Sequence, residues 1–464
     1  MTAGSLRFAA EKNMVRKLSV NLCRLLLAAV FIVSGFVKAV DPMGTQYKIE
    51  DYAAVLGLST LLPSLAAVVM AVALAAVEFC LGVYMLFAIR RRLTSRLMLL
   101  MLCVLTPLTL WLALTNPITD CGCFGDAVVL TNWQTFAKNV VLLAAAIIVV
   151  CWPGQMVRFI SQSNQWIVIN YTALFILAVA GYSLYYLPQF DFRPYHIGAS
   201  IREGMSIPDD AEQPQFETTF ILEKDGRQQE FTLDDYPDST WTFVDSRTVQ
   251  TRQGYVPPIH DFAIVTADGD DITADVLADS SYTMLLVAPY LEDADDSDLD
   301  IINELYEYTR QHGYPFYCLT ASTEHGIDHW RDITGAEYTV CNTDATTLKT
   351  VVRSNPGLVL LKDGVVIGKW SHNNLPVIEE NQWQQPLNRL EIGHIPGDSA
   401  PAKVLRIILW FVLPLLLLTI ADRLWAWSRW LRRKPKNVSL LEAPEVPVVP
   451  VTPEVPETPR KPHK

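Results

Sequence analysis

Six long apolar runs constrain the fold of this chain more than any other feature. A transmembrane helix needs about 20 apolar residues, and each run is long enough to provide them. The first run has no small-residue cleavage site behind it, so we expect a retained helix rather than a signal peptide. We predict six transmembrane helices, within residues 18–40, 61–89, 93–115, 132–152, 166–187 and 404–427.

Basic side chains outside these runs predict how the chain is oriented. Loops rich in Lys and Arg lie on the cytoplasmic side of a membrane. One orientation places every basic cluster on that side, with both termini cytoplasmic and residues 188–402 periplasmic; the inverted orientation is the alternative. We therefore expect a multi-pass protein of the inner (cytoplasmic) membrane. The basic residues behind this prediction are Arg7, Lys12, Arg16, Lys17, Arg90, Arg91, Arg92, Arg96, Arg158, Arg429, Arg432, Arg433, Lys434 and Lys436.

The segment between the fifth and sixth runs is strongly acidic. Residues 188–402 contain 37 Asp and Glu but 13 Lys and Arg, and the whole chain has a formal net charge of -12. Nucleic-acid binding needs a basic face, so this charge argues against a nucleic-acid partner. It suits a domain in water. Residues 438–464 are rich in Pro, Val and Glu, a composition that predicts a disordered tail.

Two patterns divide the acidic segment. Residues 219–233 predict a hairpin turning at Asp225-Gly226. After residue 257, short apolar runs at 284–288 and 316–319 alternate with a helical pattern at 299–309. The predicted fold is therefore multi-domain: a membrane bundle plus an α/β domain with a small β-rich insert. The predicted divisions are 1–187 (five membrane helices), 188–255 (β-rich linker), 256–402 (α/β domain), 403–437 (sixth membrane helix) and 438–464 (disordered tail).

The α/β pattern resembles the TlpA/peroxiredoxin branch of the thioredoxin superfamily over about residues 258–376. Pro258 to Phe262 is similar to the first segment of that branch, and residues 358–368 predict its terminal hairpin. The resemblance implies that Pro356, just before the hairpin, has a structural role and follows a cis peptide bond. The family's CxxC motif would fall within residues 289–296, which contain no cysteine. A degenerate thioredoxin-like domain is the resulting prediction.

Cys121 and Cys123 lie one residue apart in a polar loop between the third and fourth runs. A disulfide across one glycine would be strained, and strained disulfides are the more oxidising ones. Lys38 is expected at the same membrane face, where its charge would lower a thiol pKa. A redox pair, a structural disulfide and a metal site are the three interpretations. No nearby His or third Cys completes a zinc site, so we predict no metal.

Other candidate residues are weaker. Glu78 is an ionisable residue deep within an apolar run, which indicates either function or a buried ion pair. We predict Arg24, on the first helix, as its partner. Cys318 and Cys341 fall in predicted strands of the α/β domain, where they form a disulfide, act as a displaced redox pair or are inert buried thiols.

Four features of the membrane part belong together: residues 31–38 (FIVSGFVK), Asp41-Pro42, Glu78 before Leu81-Gly82, and residues 120–125 (DCGCFG). With these features the membrane part resembles the DoxX/MauE superfamily. MauE-type proteins are implicated in methylamine utilisation, where they are thought to assist disulfide formation in a periplasmic dehydrogenase, alongside a thioredoxin-like partner. Here such a membrane part is followed by a thioredoxin-like part in one chain, which departs from the family's separate proteins.

These features lead to two functional hypotheses. In the first, the chain is a thiol–disulfide oxidoreductase of the cell envelope, with Cys121 and Cys123 as catalytic residues and Lys38, Glu78 and Arg24 in support. Its partner would be a periplasmic thioredoxin-like or disulfide-bearing protein. The residues identify no cofactor, and a quinone is one candidate electron acceptor. In the second, the chain is a non-enzymatic scaffold in the lipid bilayer, whose acidic domain binds a partner.

Overall fold

The structure is a computed structural model of the chain. It describes residues 3–118, 121–208, 211–212, 215–224, 227–231, 241–252, 254–397 and 400–432. The N-terminal part is helical. Its helices are α1 (Ala3–Val40), α2 (Pro42–Val55), α3 (Ser64–Phe87), α4 (Arg91–Thr115), α5 (Asn132–Cys151) and α6 (Gln165–Tyr185).

Helices α1 and α3 pack closely at two glycines. A Cβ on Gly35 would lie 2.3 Å from the backbone nitrogen of Phe79, and one on Gly82 would lie 2.7 Å from that of Ile32. Small residues allow transmembrane helices to approach in this way. The two contacts fix the register of the antiparallel pair, and they bring Glu78 to the same level as the end of α1.

Helix α2 is not among the predicted elements. Its start nevertheless has a sequence signal, because Asp41 accepts a hydrogen bond from the backbone of Gly44 and Pro42 occupies the first turn. The helix is too polar and too short to cross a membrane, so the apolar runs gave no indication of it. It lies between the first two spans and forms one wall of the site described below.

The α/β domain contains a five-stranded mixed sheet, preceded by a three-stranded antiparallel sheet with the order β2-β1-β3. In the larger sheet, β4, β5 and β6 are parallel, and β7 and β8 complete it as an antiparallel hairpin, with the order β6-β5-β4-β7-β8. The predicted strands at 284–288 and 316–319 and the hairpin at 358–368 are confirmed. The elements are α7 (Ile201–Met205), β1 (Gln215–Lys224), β2 (Arg227–Phe231), β3 (Thr242–Arg252), α8 (Thr273–Ala278), β4 (Tyr282–Val287), α9 (Leu299–His312), β5 (Phe316–Thr320), α10 (Glu324–Thr334), β6 (Thr339–Asn342), α11 (Ala345–Val351), β7 (Gly357–Lys362) and β8 (Val365–Ser371).

The last span consists of α12 (Ala400–Ile407), a π-helical turn (Ile408–Val412) and α13 (Leu413–Arg432). Phe411 in the π-helical turn stacks on Phe175 of α6, with 4.3 Å between the ring centroids. In the described part of the chain, six helical segments are long and apolar enough to cross a membrane. They coincide with the six predicted runs. The Asp225-Gly226 turn and the tail from 438 lie outside the described residues.

A buried charge cluster joins the end of α6 to the α/β domain. Asp191 lies 2.7 Å from Lys369 on β8 and 2.7 Å from Arg193, and Arg193 donates to the carbonyl of Thr350 at 2.8 Å. Burial lowers the pKa of Lys369 to about 7, with a further contribution from the charge of Arg193 and opposition from Asp191. This cluster holds the sheet and α11 against the exit of the membrane bundle.

Candidate functional site

The two loop thiols contact each other. The Sγ atoms of Cys121 and Cys123 lie 3.0 Å apart, and both cysteines are free. Gly122 between them has a φ of +65°, a conformation that favours glycine, and a Cβ there would lie 3.1 Å from the Lys48 side chain. A disulfide requires about 2.05 Å between sulfur atoms, so the pair needs to approach by only about 1 Å to close.

A buried network holds this loop from the membrane side. Lys38 Nζ donates to the Cys123 carbonyl at 2.8 Å, to Glu78 at 2.7 Å and to Ser34 Oγ at 2.7 Å. These three bonds use all the donors of the ammonium group. The Lys38 and Glu78 side chains are each 6% exposed. The backbone of the thiol loop is therefore tied to α1 and α3 through a charged pair.

The predicted partner of Glu78 is wrong. Glu78 pairs with Lys38, whereas Arg24 donates to the Val157 carbonyl at 2.5 Å. Lys38 lies 14 residues beyond Arg24 on α1, which is about 21 Å along a helix. The glycine contacts between α1 and α3 place Glu78 at the Lys38 end, so Arg24 is out of its reach.

The electrostatics of the pair favour a thiolate on Cys123. The pKa of Cys123 is lowered to about 6, chiefly by its hydrogen bond with Cys121 and also by the charges of Lys138 and Lys38. Burial and the charge of Glu78 oppose this shift. The pKa of Cys121 is raised, because its thiol is held by that hydrogen bond and is buried. This arrangement favours a thiolate on Cys123 and a protonated thiol on Cys121.

The α/β domain lies over the thiol loop. Arg353 pairs with Asp41 at 2.9 Å and with Asp126 at 3.3 Å. The Lys349 ammonium sits between two tyrosine rings, 4.9 Å from that of Tyr47 on α2 and 5.3 Å from that of Tyr290 after β4. These contacts connect the membrane part to the segment just before the terminal hairpin.

A cavity of about 290 Å³ opens beside Cys121, between α2, the thiol loop and α11. The hydroxyl of Tyr52 donates to the Cys121 carbonyl at 3.2 Å on one side. Thr346, Lys349 and Arg353 line the opposite side. A small molecule or a single side chain can approach Cys121 through this cavity, whereas a folded protein cannot while the domain stays in place.

Cys318 and Cys341 do not form a pair. They lie on neighbouring parallel strands, but Cys318 is in register with Val340 and Cys341 with Leu319. Residues in register point to the same face of a sheet, so the two thiols face opposite sides and lie in different core clusters. Burial raises the pKa of Cys318 to about 12. The predictions of a disulfide or a displaced redox pair are therefore wrong, and the inert-thiol alternative fits.

The peptide bond before Pro356 is cis, as predicted.

Among the described residues, no group of three or more His, Cys, Asp and Glu side chains is arranged to hold a metal ion.

Several residues of the site were missed by sequence reasoning. Ser34 had a usable signal, since it lies four residues before Lys38 on the same face of α1. Arg353 had no usable signal, because its partner Asp41 is 312 residues away. Lys138, whose ammonium lies 4.6 Å from the centre of the Phe124 ring, was also missed.

Comparisons with known proteins support the membrane part of this description. Residues 16–152 match the family described as methylamine utilisation protein MauE, and residues 216–253 match a domain of unknown function (DUF8463). Neither a curated protein nor a solved structure matches the chain. The MauE match covers the first four spans and the thiol loop. The chain is thus a multi-pass membrane protein with a MauE-type part, followed by a mixed-sheet domain and a sixth span.

Proposed function

We propose that this protein exchanges disulfides with a partner protein of the cell envelope through Cys121 and Cys123. The observation that carries the proposal is the contact between the two thiols, 3.0 Å apart, with the pKa of Cys123 lowered to about 6. A thiolate is the nucleophile of thiol–disulfide exchange. A second thiol within contact distance can resolve the mixed disulfide.

The exchange balances without a further reactant. The Cys123 thiolate attacks one sulfur of a partner disulfide, which forms a mixed disulfide and releases the partner's other sulfur as a thiolate. Cys121 loses its proton to that leaving thiolate and attacks Cys123 Sγ, which forms the Cys121–Cys123 disulfide. The partner's second sulfur leaves as a thiolate. The partner is reduced by two electrons and the pair is oxidised, and the reverse steps oxidise a partner dithiol.

Lys38 and Glu78 act in this proposal as positioning residues. Lys38 fixes the Cys123 carbonyl at 2.8 Å, and Glu78 offsets the charge of Lys38 within the membrane. The charge of Lys38 also contributes to the lowered pKa of Cys123. Arg24 is distant from the thiols. It donates instead to the Val157 carbonyl, in the loop between α5 and α6 at the other membrane face.

The α/β domain is proposed to be a thioredoxin-like docking module without redox chemistry of its own. The strand order β6-β5-β4-β7-β8 supports this assignment, since three parallel strands followed by an antiparallel hairpin are the pattern expected from the sequence. Residues 289–296, where the family has its CxxC motif, carry no cysteine. Tyr290 in this segment contacts the Lys349 ammonium. A partner would approach the thiols where Arg353 now pairs with Asp41 and Asp126.

We also propose that the protein lies in the inner membrane, with the thiol loop and the α/β domain periplasmic and both termini cytoplasmic. The basic clusters support this orientation, and disulfide chemistry suits the periplasm. A reporter that fluoresces only in the cytoplasm, fused after Lys464, is expected to be bright. A dark fusion there, together with a bright fusion at Asp261, contradicts the orientation.

The cavity beside Cys121 does not suit a quinone. Among the described residues, eight charged side chains line it, whereas its aliphatic side chains are Ile49 and Leu74. A flat apolar ring is best held by an apolar slot. The proposed exchange therefore involves no quinone in this cavity.

Trapping of thiols in membranes tests the proposal. The full chain is exposed to a pulse of disulfide-bearing envelope protein, quenched with acid and alkylated, and the redox state of each cysteine is read by mass spectrometry. We expect Cys121 and Cys123 to become oxidised together, while the exposed Cys103 stays reduced as the internal control. If the pair never changes redox state, the scaffold hypothesis replaces exchange.

A further inference from the structure

The loop between α5 and α6, residues 152–164, is surrounded by fixed arginines; we call it the arginine loop. Arg91 donates to two of its carbonyls at 3.0 Å each, and Arg24 donates to a third at 2.5 Å. Arg16 stacks on Trp152, the first residue of the loop. Arg423, from the last span, donates to the Phe159 carbonyl. Five arginines contact this loop or belong to it: Arg16, Arg24, Arg91, Arg158 and Arg423.

The charge of these arginines is offset in part, because Asp422 interacts with the charge of Arg423. Within the described residues none of the five forms a salt bridge. The Asp422 carboxylate accepts hydrogen bonds from Ser161 and Asn164 of the loop. Backbone carbonyls orient guanidinium groups but carry no net charge. The loop therefore holds a strong excess of positive charge in fixed positions.

Unused donors lie in the same region. The Nε atoms of Arg24 and Arg158 are buried and have no hydrogen-bond partner among the described residues. Arg90, which precedes α4, provides no side-chain cap for the first turn of that helix. Helix N-termini and guanidinium groups are both donors that suit phosphate. Arg158 is close enough to Arg91 for their charges to interact.

The position of the loop indicates where an anion would come from. The loop connects two membrane spans. Its first residue, Trp152, and Trp166 in the first turn of α6 are both exposed. Tryptophan is enriched at the level of the lipid headgroups. The phosphates nearest to the arginine loop are therefore those of the bilayer, and basic pockets at the ends of membrane helices bind anionic headgroups.

We propose that the arginine loop binds the phosphate of one anionic phospholipid, between Arg91 and Arg158 at the start of α4. Arg16 and Arg423 add attraction at the rim, and Arg24 adds charge from behind the loop. The bound lipid would offset the repulsion between the arginines and hold α1, α4 and the last span together. This inference is independent of the chemistry of Cys121 and Cys123.

Lipid titration of the full chain in a neutral detergent tests the proposal. Native mass spectrometry would count bound phosphatidylglycerol and phosphatidylcholine, at about 0.15 M salt, where exposed charges are screened over about 8 Å. We expect one phosphatidylglycerol to bind at least tenfold more tightly than phosphatidylcholine. Arg158→Gln should weaken it roughly tenfold, as the loss of one charged hydrogen-bonding group predicts. Arg96→Gln, which removes an exposed charge from the same helix, should change it by less than about twofold.

The other outcomes overturn the proposal. Equal binding of the two lipids excludes an anion site. An equal loss in the Arg158→Gln and Arg96→Gln variants shows a diffuse surface potential. Displacement of phosphatidylglycerol by millimolar inorganic phosphate shows a site for free phosphate. If Arg158→Gln does not fold, Arg91→Gln must show the same loss of phosphatidylglycerol against the same control.

Discussion

The thiol loop and the five-stranded sheet each place two cysteines on neighbouring backbone, with opposite results. In the loop, Gly122 lets Cys121 and Cys123 turn towards each other, and the Sγ atoms lie 3.0 Å apart. In the sheet, a one-residue offset between strands sends Cys318 and Cys341 to opposite faces. The pKa of Cys123 is lowered to about 6, whereas that of Cys318 is raised to about 12. Two cysteines on neighbouring backbone therefore need not react with each other. The directions of their side chains and the charges around them decide whether the thiols can form a pair.

The largest expected effect comes from removing the thiols themselves. Cys121→Ser or Cys123→Ser should abolish disulfide exchange, because a serine hydroxyl is far too weak an acid to replace a thiolate. Protein level should be unchanged, since the loop lies outside the spans. Cys318→Ser and Cys341→Ser are the matched controls and should keep full exchange with a fluorescent protein disulfide. Loss of exchange in a control that remains folded contradicts the difference between the two pairs.

The next effect concerns the charged pair under the loop. Glu78→Ala leaves the Lys38 ammonium buried and unpaired, which should lower the free energy of unfolding by about 3–5 kcal/mol. The double variant Lys38→Met with Glu78→Met should recover most of that stability. It should also leave the pKa of Cys123 lowered, because the hydrogen bond with Cys121 is the main cause of that shift. Denaturation in detergent would measure the free energy of unfolding of both variants. If Arg24→Met rescues Glu78→Ala instead, the observed Lys38–Glu78 pairing is wrong.

A smaller effect is expected where the α/β domain covers the loop. Arg353→Gln removes the contacts to Asp41 and Asp126, so the domain should move away from the thiols more often. We expect a bulky maleimide to label Cys123, the thiol with the lowered pKa, about tenfold faster, which corresponds to about 1.4 kcal/mol. A small alkylating reagent should react at nearly the wild-type rate. Arg310→Gln, at an exposed ion pair of the same domain, is the control. Equal acceleration of both reagents would point to general unfolding.

The sequence was sufficient for features that depend on local composition. The six spans follow from the length of the apolar runs, and the hairpin at Asp363-Gly364 follows from its turn residues. Features that depend on register were not predictable in this way. The partner of Glu78 is set by the contact of Gly35 with Phe79, and the directions of Cys318 and Cys341 by how β5 and β6 align. Arg353 at the site requires the whole α/β domain to be positioned first.

The ionisation of Cys123 is the most direct test of the proposed chemistry. The rate at which Cys123 is alkylated in the full chain would be measured against pH, with each cysteine resolved by mass spectrometry. Because its pKa is lowered, the thiolate persists above about pH 6, and the rate should fall as the pH decreases through that value. Cys121→Ala removes the hydrogen bond and should move the midpoint towards the ordinary value of about 8.5. A wild-type midpoint near 8.5, or no change in Cys121→Ala, contradicts a reactive Cys123 thiolate.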